Sequence, residues 1–103
     1  MTIRPELLKP KSYRNREYML WIKLWPCLVC GDERTEAAHT GSHGLGTKAS
    51  DFRCLPLCEI HHRDDTRGLD KLGPEKFELR YNVNLREEVL RRIEAWLGSW
   101  HSL

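Results

Sequence analysis

Four thiol and imidazole side chains in this sequence fall into two pairs. Cys27-Leu-Val-Cys30 is the first, Cys58-Glu-Ile-His61 the second, and 27 residues separate them. A C-x2-C pair followed by a C-x2-H pair has the spacing of a closed tetrahedral zinc site. A structural site of that kind needs four ligands and no more. Three further histidines, His39, His43 and His62, stand on the very segments that zinc would draw together. That surplus points to chemistry beyond a metal staple. Cys54 offers a competing pair, Cys54-x3-Cys58. On a strand just before Cys58 its side chain packs more readily as a small apolar group, so His61 is the preferred fourth ligand.

The elements that must hold these residues can be read from periodicity and breakers. Residues 13–25 carry Tyr18, Trp21, Ile22 and Trp25 on one helical face, and Pro26 ends that helix at the doorstep of Cys27. Gly31-Asp32 is a turn signal, followed by a strand that exits through Ala37-Ala38-His39. The glycine-rich run 41–46 reads as a flexible loop, and Phe52 to Leu57 as the returning strand. Cys58 starts a helix with His61 and His62 in its first turn. Pro74 suits the first helical position of a short helix through Tyr81. Asn84-x-x-Glu87 is close to a capping box for the last helix, whose apolar stripe is Leu85, Val89, Leu90, Ile93, Trp96 and Leu97. Gly98 is expected to stop it. The stripe is core in the main reading and a homodimer seam in the other. Met1 to Ser12, with Pro5 and Pro10, is expected to be an extended basic arm. Residues 13–103 form one domain whose zinc and active-site core spans 27–70.

At 103 residues the chain lies near the lower end of what one hydrophobic core stabilises. Its hydrophobic fraction of 40% makes a metal staple a natural supplement. The N-terminus shows no apolar run of a secretory signal, and no stretch approaches a membrane span. Reduced cytoplasmic thiols with metal spacing therefore fit better than a secreted disulfide framework. Net charge is +2, unevenly spread: residues 1–30 hold six basic side chains against two acidic ones. Lys11, Arg14 and Arg16 in that region suit a polyanion such as DNA, with a solvated helix face as the plain alternative.

Knuckle, strand, loop, strand and a helix that returns ligands is the outline of an α+β fold, a small ββα-metal or treble-clef-like zinc unit with flanking N- and C-terminal helices. The motifs Cys-x2-Cys, Ala37-Ala38-His39, Gly46-x-Lys48-x-Ser50-Asp51 and Leu55-Pro-Leu-Cys58-x-x-His61-His62 occur in that order. Together they resemble the HNH endonucleases. Within those, the chain is most similar to small phage and prophage nucleases grouped with the RecA-dependent recombination-enhancement nuclease. The resemblance runs over roughly residues 9 to 81, from Tyr18-Met-Leu-Trp-Ile to Leu72-Gly-Pro-x-x-Phe77.

This resemblance implies phosphodiester hydrolysis with one catalytic divalent ion, Mg²⁺ or Mn²⁺, beside the structural Zn²⁺. By position it implies His39 as the general base and His62 as a ligand of the catalytic ion, with His39 as a metal ligand and another group activating water as the alternative. Three positions depart from the family pattern. Ala38 stands where many members carry a metal-binding Asp or His, Arg53 where Asn is common, and Asp70 where a His is often found. Asp51, Asp70 and His43 are the candidates for the second ligand, and Asp51 has bracing of the loop as its alternative role. Lys48 and Arg53 are natural phosphate contacts beside the loop. The implied partner is DNA, with no membrane, and the setting is the cytoplasm of a bacterial or phage-infected cell. A non-catalytic zinc-ribbon DNA-binding module and a zinc-stapled protein-interaction domain are the competing functions.

Overall fold

The computed structural model describes residues 13–40 and 49–101, with side chains to Ser99. The expected N-terminal arm, with Lys11, and the loop residues His43 and Lys48 lie outside the described residues. Asn15 caps the first helix, α1 (Arg16–Ile22), by accepting the Tyr18 N–H on its side-chain oxygen at 3.0 Å. That cap, which satisfies an otherwise orphaned amide, starts the helix three residues later than the apolar periodicity suggests. The helix ends at Ile22, and a turn leads to Pro26.

A two-stranded antiparallel hairpin follows. Strand β1 (Glu36–His39) pairs with β2 (Cys54–Leu57) in the register Glu36↔Leu57, Ala37↔Pro56, Ala38↔Leu55 and His39↔Cys54. Phe52 belongs to a 3-10 turn, Asp51–Arg53, rather than to β2. The Ser50 side chain accepts the Phe52 N–H and holds that turn, which alternation alone does not reveal. Directly opposed residues share a face, so the pleat sorts the hairpin into two sides. Ala38, Leu55 and Leu57 pack with Cys27, Cys58, Leu69, Phe77 and Leu85. Ala37 and Cys54 face Tyr18, Ile22, Trp21 and Trp96 on the other side.

After β2, Cys58 is the N-cap of α2 (Glu59–Arg63), as the spacing predicts. A tight turn built on Asp64, whose carboxylate accepts the Thr66 and Arg67 N–H groups, leads into α3 (Leu69–Leu72). Gly68 permits this return. A Cβ there would meet backbone atoms of Arg63 and Asp64 at 2.6–2.8 Å, closer than any side chain tolerates. The short α3 is absent from the sequence reading because its four residues carry no resolvable period. Helix α4 (Pro74–Tyr81) has Pro74 in its first turn, as expected.

The last helix, α5 (Leu85–His101), passes through Gly98 instead of stopping there. Asn84 caps it, accepting the Glu87 N–H at 3.0 Å, while Glu78 takes the Leu85 N–H at 2.8 Å. Val89 packs on the Cys27 side of the hairpin, and Ile93 and Trp96 on the Tyr18 side. Leu90 and Leu97, expected in the stripe, are 53% and 54% exposed. Arg92 is buried in their stead, paired with Glu88 at 2.7 Å and stacked over the Trp25 ring. A long cation can bury its stem while its head keeps a charged partner, which a binary apolar pattern misses. Among the described residues, no helix is long and apolar enough to cross a membrane.

Candidate metal centre and flanking histidines

Cys27, Cys30, Cys58 and His61 form a cluster that could hold a metal ion, with all four ligand atoms within 4.8 Å of one another. The knuckle is tight because Gly31, at φ 77°, turns the chain in the left-handed region. Cys27 N–H donates to the Asp32 carbonyl, and Leu28 N–H to Pro56, which fastens the knuckle to β2. The Thr35 hydroxyl donates toward the Lys23 and Trp25 carbonyls, anchoring the exit strand to the end of α1. Helix α2 then brings its first turn over the knuckle.

The donor set and its dimensions fit zinc. Tetrahedral ligands at zinc bond lengths lie about 3.8 Å apart sulfur to sulfur, and about 3.6 Å sulfur to nitrogen. Cys30 and Cys58 sulfurs are 3.8 Å apart, and His61 Nδ1 lies 3.8 Å from Cys27 and 3.2 Å from Cys58. Electrostatics agree. Burial opposes ionisation of Cys27, but N–H donors of Cys30, Cys58 and Val29 outweigh it and lower the thiol's pKa. Burial, reinforced by the neighbouring Cys30 and Cys27, pushes Cys58 up to about 11. Crowded thiolates of this kind need a cation between them. Burial, then Arg67 and Arg80, holds His61 below its ordinary value, favouring the neutral imidazole that ligation requires. Tyr81 braces the His61 ring edge to face, with its hydroxyl donating to the Arg67 carbonyl.

Cys54 is not part of this cluster. Pleat alternation turns it to the opposite face, fully buried among Tyr18 and Ile22. Burial first, and then Asp51, raise its thiol to about 12, so it stays protonated. Cys54→Ser is therefore expected to leave metal stoichiometry unchanged, whereas His61→Ala lowers it. Elemental analysis of both purified variants checks this, and metal loss confined to the Cys54 variant would reverse the assignment.

His62, the next residue on α2, faces outward from the cluster. Its Nδ1 lies 2.7 Å from Glu36 Oε1 and its Nε2 lies 3.4 Å from Asp70 Oδ2. The hydrogen bond from His62, then the charge of Arg63, lowers the Glu36 pKa against the opposing effect of burial. An ionised Glu36 only accepts, so Nδ1 carries a proton, and Nε2 is the ring atom that faces Asp70. Glu36 escaped the sequence reading. The available signal was its position two residues before Ala38, which in a strand puts both side chains on one face.

His39 sits at the far end of β1. Its Nε2 is 2.9 Å from Oδ1 of Asp51, a carboxylate only 6% exposed. Arg14 and the Asn15 N–H also reach that carboxylate, at 3.2 Å and 2.7 Å. Burial alone would raise the Asp51 pKa, but His39, Asn15 and Arg14 outweigh it and lower it. Its stabilising contribution is thus complete above the ordinary carboxylate range and lost as pH falls through the depressed folded value. Arg14, expected as a DNA contact, is engaged here at the hairpin, whereas Arg16 is exposed on α1. Arg53 is exposed and lines a groove of about 710 Å³ with Thr40, Glu78 and Arg86.

The structure thus gathers Asp70 beside His62 and Asp51 beside His39. Glu36 and His39 are three positions apart, about 10 Å along a strand, and the pleat sends them to opposite faces. The two histidines belong to two separate groups.

Comparison with known proteins adds family membership. The uncharacterized protein YdfU of Escherichia coli is 37% identical over 62 residues, covering 57% of this chain and 18% of that protein. The chain therefore spans less than a fifth of the length of the curated relative it matches. No solved structure matches. Residues 4–93 match the family described as "Protein of unknown function (DUF968)", and the chain belongs to that family.

Proposed function

We propose that the protein is a metal-dependent DNA endonuclease or nickase of HNH type, with a structural zinc ion in the Cys27, Cys30, Cys58 and His61 cluster. One observation carries the reading. Two histidines outside the zinc ligands each have one ring nitrogen on a carboxylate, Glu36 for His62 and Asp51 for His39. A zinc staple needs neither arrangement, whereas a base and a metal ligand both need a ring whose orientation is fixed by a partner on one nitrogen.

His62 Nε2 and the Asp70 carboxylate are the residues that would hold Mg²⁺ or Mn²⁺, a nitrogen and an oxygen donor suited to such an ion. When bound, the ion clamps the scissile phosphate and stabilises the leaving oxygen. Glu36 fixes the His62 tautomer. His39 accepts a proton from water, whose oxygen bonds to phosphorus as the phosphorus bond to the leaving oxygen breaks. That oxygen then takes a proton from solvent. Arg53 and Arg86 on the groove, and Arg16 on α1, offer cations to the nucleic-acid backbone.

Supercoiled plasmid incubated with the zinc-loaded protein is expected to be nicked with Mg²⁺ or Mn²⁺ and left intact with EDTA. A folded, zinc-loaded protein that binds DNA and cuts none under either metal would hand the function to the second reading, a non-catalytic zinc DNA-binding module. The separation of His39 from His62 on opposite faces of the hairpin favours that reading.

A further inference from the structure

We infer that Asp51 is a positioning residue for His39, and that the segment leading into α1, through Arg14 and the Asn15 amide, is built into the site as the clamp that holds Asp51. The inference rests on the nuclease reading for its catalytic consequence, but its geometry stands independently. Three donors converge on one carboxylate: His39 Nε2 at 2.9 Å and Arg14 at 3.2 Å on Oδ1, and the Asn15 N–H at 2.7 Å on Oδ2. Asp51 N–H in turn donates to the Tyr13 carbonyl at 2.9 Å, and Arg14 donates to the Ala49 carbonyl at 2.9 Å. The turn that carries Asp51 and the segment that ends in the cap of α1 are thus tied to each other in both directions.

This arrangement decides which nitrogen of His39 can work. An ionised carboxylate accepts and never donates, so Nε2 must carry the proton and Nδ1 the lone pair. With its acceptor sites on Arg14, Asn15 and His39, Asp51 has little left for a cation, which removes it from the candidates for the metal. Asp51 also occupies a place where burial and three donors make its orientation stiff. A base whose ring is held in one tautomer and one plane avoids the misplacement that can cost about a hundredfold in rate.

The test uses the full, zinc-loaded chain with ¹⁵N-labelled histidine. In wild type, His39 is expected to show Nδ1 unprotonated and a downfield Nε2–H proton protected from solvent exchange. Asp51→Ala should lose that protected proton, and Arg14→Gln, a milder change, should speed its exchange while leaving Asp51 in place. In the plasmid assay both variants should lower kcat with KM for DNA little changed, by about a hundredfold for Asp51→Ala. Mn²⁺ titration followed by electron paramagnetic resonance should give the same affinity in Asp51→Ala as in wild type. A His39 spectrum unaltered in both variants would overturn the inference, and so would a fall in Mn²⁺ affinity, which would make Asp51 a ligand. If Asp51→Ala does not fold, the exchange rate in Arg14→Gln decides alone. A wild-type protein that cuts no DNA yet shows the Asp51-dependent proton would sink the nuclease reading and leave the clamp standing.

Discussion

Removal of zinc is expected to unfold this protein. Structural zinc contributes an apparent folding free energy of about 10–16 kcal/mol in small domains, against a total stability of about 5–15 kcal/mol for a typical one. The ligands join the knuckle before β1 to the helix after β2, so their loss releases both ends of the hairpin. Cys27 and Cys58 are also members of the buried cluster around Leu55 and Phe77. Chelation, or Cys58→Ala, should abolish the cooperative thermal transition seen by circular dichroism, and readdition of zinc should restore it in wild type alone. A metal-free chain that melts cooperatively near the wild-type temperature would refute the assignment.

Cleavage should depend on His39 and His62 for separable reasons. Loss of a general base typically costs about 10²–10⁴-fold, so His39→Ala is expected to fall on that scale while keeping its fold, its zinc and its affinity for Mn²⁺. His62→Ala should instead raise the metal concentration needed for half-maximal nicking, and high Mn²⁺ should recover part of the rate. The difference follows from where the side chains sit: His39 on Asp51 at one end of β1, His62 between Glu36 and Asp70 at the other. The measurement is nicking across a metal titration for wild type and both variants, with zinc content verified. His39→Ala cutting at the wild-type rate would remove His39 from the chemistry.

The metal cluster was legible in the sequence because its information is local. Two ligands three residues apart on a knuckle, and two more at a helix start, are brought to one side by turn geometry alone. The knuckle turn and the caps of α2 and α4 were readable for the same reason: Gly31, Pro74 and the Cys58-x-x-His61 spacing each act within one turn of chain. Family resemblance drew attention to His39, His62, Asp51 and Asp70 but could not sort them. Only the tertiary structure paired them, since register and pleat decide which carboxylate each imidazole meets. Glu36 shows this best: nothing at 36 is unusual until β1 and α2 are packed together. Arg14 is the converse case, a cation that charge distribution assigns to a polyanion and that packing assigns to a buried carboxylate. Spacing along the chain determines what a few adjacent side chains can hold. Partners such as His39 and Asp51, 12 positions apart, or Arg14 and Asp51, 37 apart, are set by how elements pack, and that is a property of the whole fold.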